Sequence, residues 1–184
     1  RVKAITDELL AADPLNVEAY NYGINARVAM KQYEEAIAFI KSRPDDVVPA
    51  KNTQLKLAGV YSEAKQHDQS AAILKELHTA YPYNDSLKNN LVEEMLLHAK
   101  SLDDSGSYEQ SLKVYEEIRE IEPKNITAAI KQTNILIENN ELEYSMEIID
   151  SSLVYNNEHP DLLYQKGLIY EKMGNYKLAK EYHA

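Results

Sequence analysis

The 184-residue sequence has no cysteine and no tryptophan. Without a thiol there is no disulfide framework, no thiolate metal site and no cysteine nucleophile. Glycine and proline are sparse, 5 and 6 residues, too few for an all-β fold whose short strands need a turn roughly every 8–12 residues. Positive charge is in the minority, with 20 Lys and Arg against 30 Asp and Glu and a formal net charge of -10. The basic residues form no stripe that could follow a phosphate backbone, which argues against nucleic acid as a partner. No apolar run approaches the roughly 18 residues of a membrane-spanning helix, and no basic segment leads into an apolar stretch at the N-terminus. Direct membrane insertion of this stretch is therefore not expected. The first residue is Arg1 rather than Met, so the compartment stays open between cytoplasm and bacterial periplasm.

What the sequence does contain is 44% apolar and 27% charged residues in helical spacing, and a two-part pattern that returns along the chain. It is clearest in Leu57, Ala58, Tyr61, Ser70, Leu74, Leu77 and Pro82, and again in Ala99, Leu102, Gly106, Tyr108, Ser111, Tyr115, Ile118 and Pro123. Leu136, Leu142, Ser145 and Ile149 repeat it, as do Gly167, Tyr170, Gly174, Tyr176 and Ala179. Units that start at Val17, Lys51, Val92, Ile126 and Pro160 are 34 residues apart, except for one interval of 41. Seven extra residues are about two helical turns, which lengthen a helix while barely rotating its apolar face. They are assigned to Asp85–Leu91, with Asn89, Asn90 and Glu93 exposed on turns that project beyond the edge of the array.

Each unit reads as two amphipathic helices joined by a short polar turn, such as Gln66-His67-Asp68 or Met173-Gly174-Asn175. The eighth residues are Ile24, Ala58, Ala99, Thr133 and Gly167, and the twentieth are Ala36, Ser70, Ser111, Ser145 and Ala179. Mostly small, they let helix backbones approach closely, while Tyr61, Leu102, Leu136 and Tyr170 fill the space beside them. Pro14, Pro82 and Pro123 stop a second helix and preset the next entry. In the first unit Pro44 falls early, which predicts a second helix ending near Lys41 or Ser42 and an irregular loop over 43–49.

This pattern of small residues, aromatics and proline on a 34-residue period resembles the tetratricopeptide repeat family over essentially the whole chain. No unit has the family's Trp at its fourth position, and the first carries Gly23 one residue early. The resemblance implies an all-α fold, a right-handed α-solenoid of antiparallel helix pairs. Residues 1–16 would hold the second helix of a truncated preceding repeat. Repeats would follow at 17–50, 51–84, 85–125 with a first helix extended by two turns, 126–159, and 160–184, truncated. Because end units of such arrays carry polar caps, the natural protein is expected to continue in both directions.

A search for chemistry comes back empty. His67, His78, His98, His159 and His183 show no metal-binding spacing, and no glycine-rich phosphate loop exists. Glu93, Glu94, Glu116, Glu117, Glu138 and Glu141 read as solvated helix faces, and Ser70, Ser111 and Ser145 as packing residues. Asn84-Asp85-Ser86 and Asn125-Ile126-Thr127 read as helix caps rather than glycan acceptors. No catalytic residue, cofactor or metal is expected.

The resemblance also implies that first helices line a concave groove that takes an extended or helical peptide. The residues assigned to it are Asn21, Asn25, Leu55, Ser62, Leu96, Lys100, Ile130, Asn134, Tyr164 and Glu171. Some family members clamp a terminal carboxylate with Lys, Asn and Arg; here Leu55, Gly59 and Leu96 break that pattern, and no clamp is expected. Asparagine with apolar neighbours suits an extended backbone with hydrophobic anchors. Leu55, Leu96, Ile130, Tyr164 and Leu168 have an alternative use in packing against neighbouring helices. The functional expectation is a non-catalytic scaffold for a protein or peptide partner, of unstated oligomeric state. The alternative is a rigid spacer or assembly arm, envelope-associated or enzyme-linked, whose activity lies elsewhere.

Overall fold

The computed structural model describes residues 2–43 and 50–182, and these form α-helices and no strand. In chain order the helices are α1 (Val2–Ala12), α2 (Val17–Ala29), α3 (Tyr33–Lys41), α4 (Ala50–Glu63), α5 (His67–Ala80) and α6 (Asp85–Asp104). They continue with α7 (Tyr108–Ile121), α8 (Ile126–Glu138), α9 (Leu142–Leu153), α10 (Pro160–Lys172) and α11 (Tyr176–Tyr182). The stop at Lys41 follows the position of Pro44; the loop expected over 43–49 lies, from 44 onward, outside the described residues. None of the helices is long and apolar enough to cross a membrane.

Starts and stops have identifiable causes. Asn16, Asn84 and Asn125 each accept a main-chain N–H three residues on, from Ala19 at 2.9 Å, Leu87 at 3.1 Å and Ala128 at 3.0 Å. Both Asn-x-Ser/Thr triplets therefore serve as caps, satisfying N–H groups that a helix end leaves open. Within each pair the first helix ends on a residue in the left-handed region: Lys31 (φ 58), Lys65 (φ 60), Gly106 (φ 76), Asn140 (φ 62) and Gly174 (φ 77). At all five the two hydrogen bonds of a Schellman turn are present, for example Gly106 N to Asp103 O at 2.9 Å and Ser107 N to Leu102 O at 2.8 Å. These reversals recur at intervals of 34, 41, 34 and 34 residues. They also correct the turn expected at Gln66-His67-Asp68: the reversal is complete at Gln66, and His67 and Asp68 form the first turn of α5.

The chain divides into two compact units, Arg1–Glu94 and Met95–Ala184, with the boundary inside α6. In the first, α1, α2, α3 and α4 each pack on the next helix. One of its clusters joins Ile24, Ala36, Ile40 and Val60, ringed by Val28, Tyr33, Ile37, Phe39 and Leu57. In the second, α7 to α11 do the same, and α8 also meets α10. Its core gathers Ile137, Leu142, Ile149, Leu162 and Ile169, with Ala129, Leu136 and Ile148 as a second cluster. Each fully buried Ile or Leu contributes about 1.5–3 kcal/mol. The recurring small positions are all buried, Ala36, Ala99, Ser111, Thr133 and Ser145 completely.

Helix α6 has 20 residues where α2, α4, α8 and α10 have 13 or 14. Its extra turns were expected to stand clear of the array. Asn89, Asn90 and Glu93 are exposed, but Leu87 and Leu91 are buried, so the four-residue apolar spacing is spent on packing and only the polar face is open.

Candidate functional site

In the first unit, α2 carries Asn21 and Asn25 one turn apart. Asn25 is exposed, whereas Asn21 is half-buried with its Oδ1 shielded and without a hydrogen-bond partner. Leu55 and Ser62 on α4 are half-buried. On the same helix, Tyr61 receives a hydrogen bond from Lys41 of α3 at 3.1 Å.

In the second unit, Leu96 on α6 is half-buried and Lys100 is exposed, its ammonium on Asp104 at 2.6 Å in an i,i+4 ion pair. On α8, Ile130 is partly withdrawn into the core beside Ile137 and Leu162, the packing use open to it from the sequence. Asn134, one turn on, is exposed, as are Tyr164 and Glu171 on α10.

The structure ties the α8 candidates Ile130 and Asn134 to α10 through a residue the sequence reasoning missed. Gln165 is 4% exposed; its Nε2 donates to Asn134 Oδ1 at 2.6 Å and to the Ile130 carbonyl at 3.2 Å. Its Oε1 takes the hydroxyl of Thr133, which is fully buried. Pinning two adjacent first helices with an amide satisfies every polar atom of that side chain, as burial demands. A signal existed: Gln165 follows Leu162 by three and precedes Ile169 by four, so it occupies the buried stripe of α10.

Two further polar features lie apart from the candidates. Glu94, read from sequence as solvated, is buried and meets His67 Nδ1 at 2.9 Å; its place between Leu91 and Met95 turns it inward. A cavity of about 560 Å³ opens at the α5–α6 turn, lined by residues 80–86 and by none of the candidates. Among the described residues no group of His, Asp and Glu could hold a metal ion.

Comparison with known proteins agrees with this architecture. Tetratricopeptide repeat family models match residues 53–82 and 160–182. Curated protein sequences give no significant match. Among solved structures the chain is similar to MamA of AMB-1, with TM-score 0.53 and 15% identity over 93% of this chain and 90% of that one. It is also similar to YrrB, described as a TPR protein with an unusual peptide-binding site, with TM-score 0.50 and 15% identity over 96% and 88%. Apo RapI gives TM-score 0.58 and 17% identity over 98% of this chain but only 56% of its own length. At these identities the structural likenesses speak to fold. The chain thus carries tetratricopeptide repeats at 53–82 in its first unit and 160–182 in its second, and the helix pairs with one Schellman turn each among the other described residues follow the same pattern.

Proposed function

We propose that the chain is a non-catalytic protein-interaction scaffold that receives a peptide segment of its partner along its first helices. The observation that carries this reading is the α8–α10 surface. There the exposed Asn134 and Tyr164 stand on two helices locked together by Gln165, and presenting side chains from a rigid pair of helices lowers the entropic cost of binding. Peptide binding on this fold, as described for YrrB, supports it. Asn21, Asn25, Leu55 and Ser62 on the first unit, and Leu96, Lys100, Ile130 and Glu171 on the second, belong to the same proposal. So does the division into repeats at 17–50, 51–84, 85–125, 126–159 and 160–184, which the spacing of the left-handed residues supports.

A spacer role is the competing reading, favoured by the engagement of Lys100 with Asp104 and of Asn134 with Gln165 inside the chain. Selection of random peptides displayed on phage against the whole chain separates the two. A scaffold yields binders whose affinity falls about tenfold or more, the scale of a lost anchor, in Asn134→Ala and Tyr164→Ala. Binders indifferent to these changes and to Asn25→Ala would remove the first helices from the site, and repeated failure to select any would favour the spacer.

A further inference from the structure

The Gln165 amide has one neighbour of fixed polarity, the main-chain carbonyl of Ile130, 3.2 Å from Nε2. A carbonyl oxygen only accepts, so nitrogen faces it and Oε1 faces the hydroxyl of Thr133, whose single proton also has the Ala129 and Ile130 carbonyls of its own helix at 2.9 and 3.1 Å. The second Nε2 hydrogen then points at Asn134, 2.6 Å away. This leaves Asn134 one orientation, with its oxygen toward Gln165 and its amide nitrogen turned away on an exposed residue. Flipping Gln165 would set two acceptor oxygens against each other in a site shielded from water, where an unmade hydrogen bond is most costly.

We infer that Thr133 and Gln165 act as positioning residues that make Asn134 a hydrogen-bond donor to the partner, so the atom it recognises is an acceptor oxygen of a peptide, a main-chain carbonyl or a carboxylate. This rests on the peptide-binding reading above. An asparagine free to rotate offers donor and acceptor equally; the buried relay removes the second option. It also turns the hydrogens of Asn134 outward, since its oxygen faces Gln165.

The test has a ligand-free arm and a binding arm, both on the whole chain. By NMR, the side-chain amide protons of Gln165 exchange slowly with solvent and those of Asn134 rapidly; the reverse order overturns the inference. For a phage-selected peptide, Asn134→Asp keeps the shape and the bond from Gln165 but replaces the outward donor by an oxygen. It is expected to weaken binding about tenfold, roughly one charged or well-made hydrogen bond, while Lys131→Gln, an equal change in charge on α8, leaves binding unaltered. Gln165→Met frees Asn134 to rotate, and in that background Asn134→Asp costs less than it does alone, a coupling that loss of packing would not produce. A C-terminally amidated copy of the peptide binds unchanged if the acceptor is a main-chain carbonyl and weakly if it is the terminal carboxylate. Binding of Asn134→Asp within twofold of the unaltered chain overturns the donor assignment. If no peptide is selected, the peptide reading fails while proton exchange still decides the relay.

Discussion

The ring of Phe39 stands where a side chain on Gly23 would begin: a Cβ there would meet Cε1 at 2.7 Å and Cζ at 2.9 Å. The ring is boxed in, with the Arg27 guanidinium 3.9 Å from its centroid and the Tyr20 ring 5.2 Å away. Arg27 is itself held, donating to the Gly23 carbonyl at 2.9 Å and to Asp7 at 3.3 Å. Replacing a helical glycine by alanine ordinarily adds about 0.5–1 kcal/mol of stability. Here the overpacking, about 1–3 kcal/mol, wins, and Gly23→Ala is expected to lower the urea midpoint at unchanged m value. Adding Phe39→Leu should recover part of the loss. An unchanged midpoint in the single variant would mean that the ring can swing aside.

The five left-handed residues permit a graded comparison at one structural position. Neither Gly106 nor Gly174 has any atom within reach of an added Cβ, so Gly106→Ala and Gly174→Ala report backbone strain alone and should each cost about 1 kcal/mol. Lys31→Gly and Lys65→Gly relieve the same strain, less the greater entropy of glycine in the unfolded chain, for a net gain below about 1 kcal/mol. Asn140→Gly should be close to neutral, because asparagine tolerates this region. Thermal unfolding of the five variants checks the order; equal effects at all five would show that these turns do not limit stability.

How far this could be foreseen depends on what each feature does. Small residues at Ala36, Ser70, Ser111, Ser145 and Ala179 are a steric demand repeated at every helix crossing, so the sequence displays it five times. Left-handed turns were legible at Gly106 and Gly174 but not at Lys31 or Lys65, whose side chains carry no preference for that backbone. On the candidate surface, Asn134 and Tyr164 are proposed from their place in the repeat, whereas Gln165 was missed because it occurs in one unit only and its role is a contact between helices. Glu94 was misjudged for a related reason: charge suggests solvent, but its position on the apolar side of α6 and its partner His67 override that.

Position twenty offers a test that separates size from polarity. Ser111 and Ser145 are fully buried, yet their hydroxyls only return to their own helices, Ser111 to the Tyr108 carbonyl at 3.0 Å and Ser145 to the Glu141 carbonyl at 2.8 Å. Removing such a hydroxyl removes its donor and leaves carbonyls already served by the helix, so Ser111→Ala and Ser145→Ala should change stability by less than about 1 kcal/mol. Ser111→Leu and Ser145→Leu insert volume at a close helix crossing and should cost about 1–3 kcal/mol or more. Denaturant unfolding measures both. A leucine accommodated without loss at either site would undermine the steric account of the repeat.

Tyr115 and Asp103 predict the alkaline behaviour of the second unit. The Tyr115 ring is 1% exposed and its hydroxyl donates to Asp103 Oδ2 at 2.7 Å. Burial first, then the hydrogen bond and charge of Asp103, hold the phenol well above its ordinary 10.0. Below pH 10 the folded and unfolded chains both keep this proton, so the group adds no pH dependence. Above it the unfolded phenol ionises while the folded one does not, and stability falls by about 1.4 kcal/mol per pH unit until the folded group also titrates. Tyr115→Phe should abolish that component. At neutral pH it should instead destabilise by about 1–3 kcal/mol, because Asp103, whose Oδ1 is already shielded without a partner, loses its remaining donor. Urea unfolding at pH 7, 10 and 11 tests both signs: the difference between the two proteins should shrink as the pH rises, and a constant difference would mean that Tyr115 ionises as readily folded as unfolded.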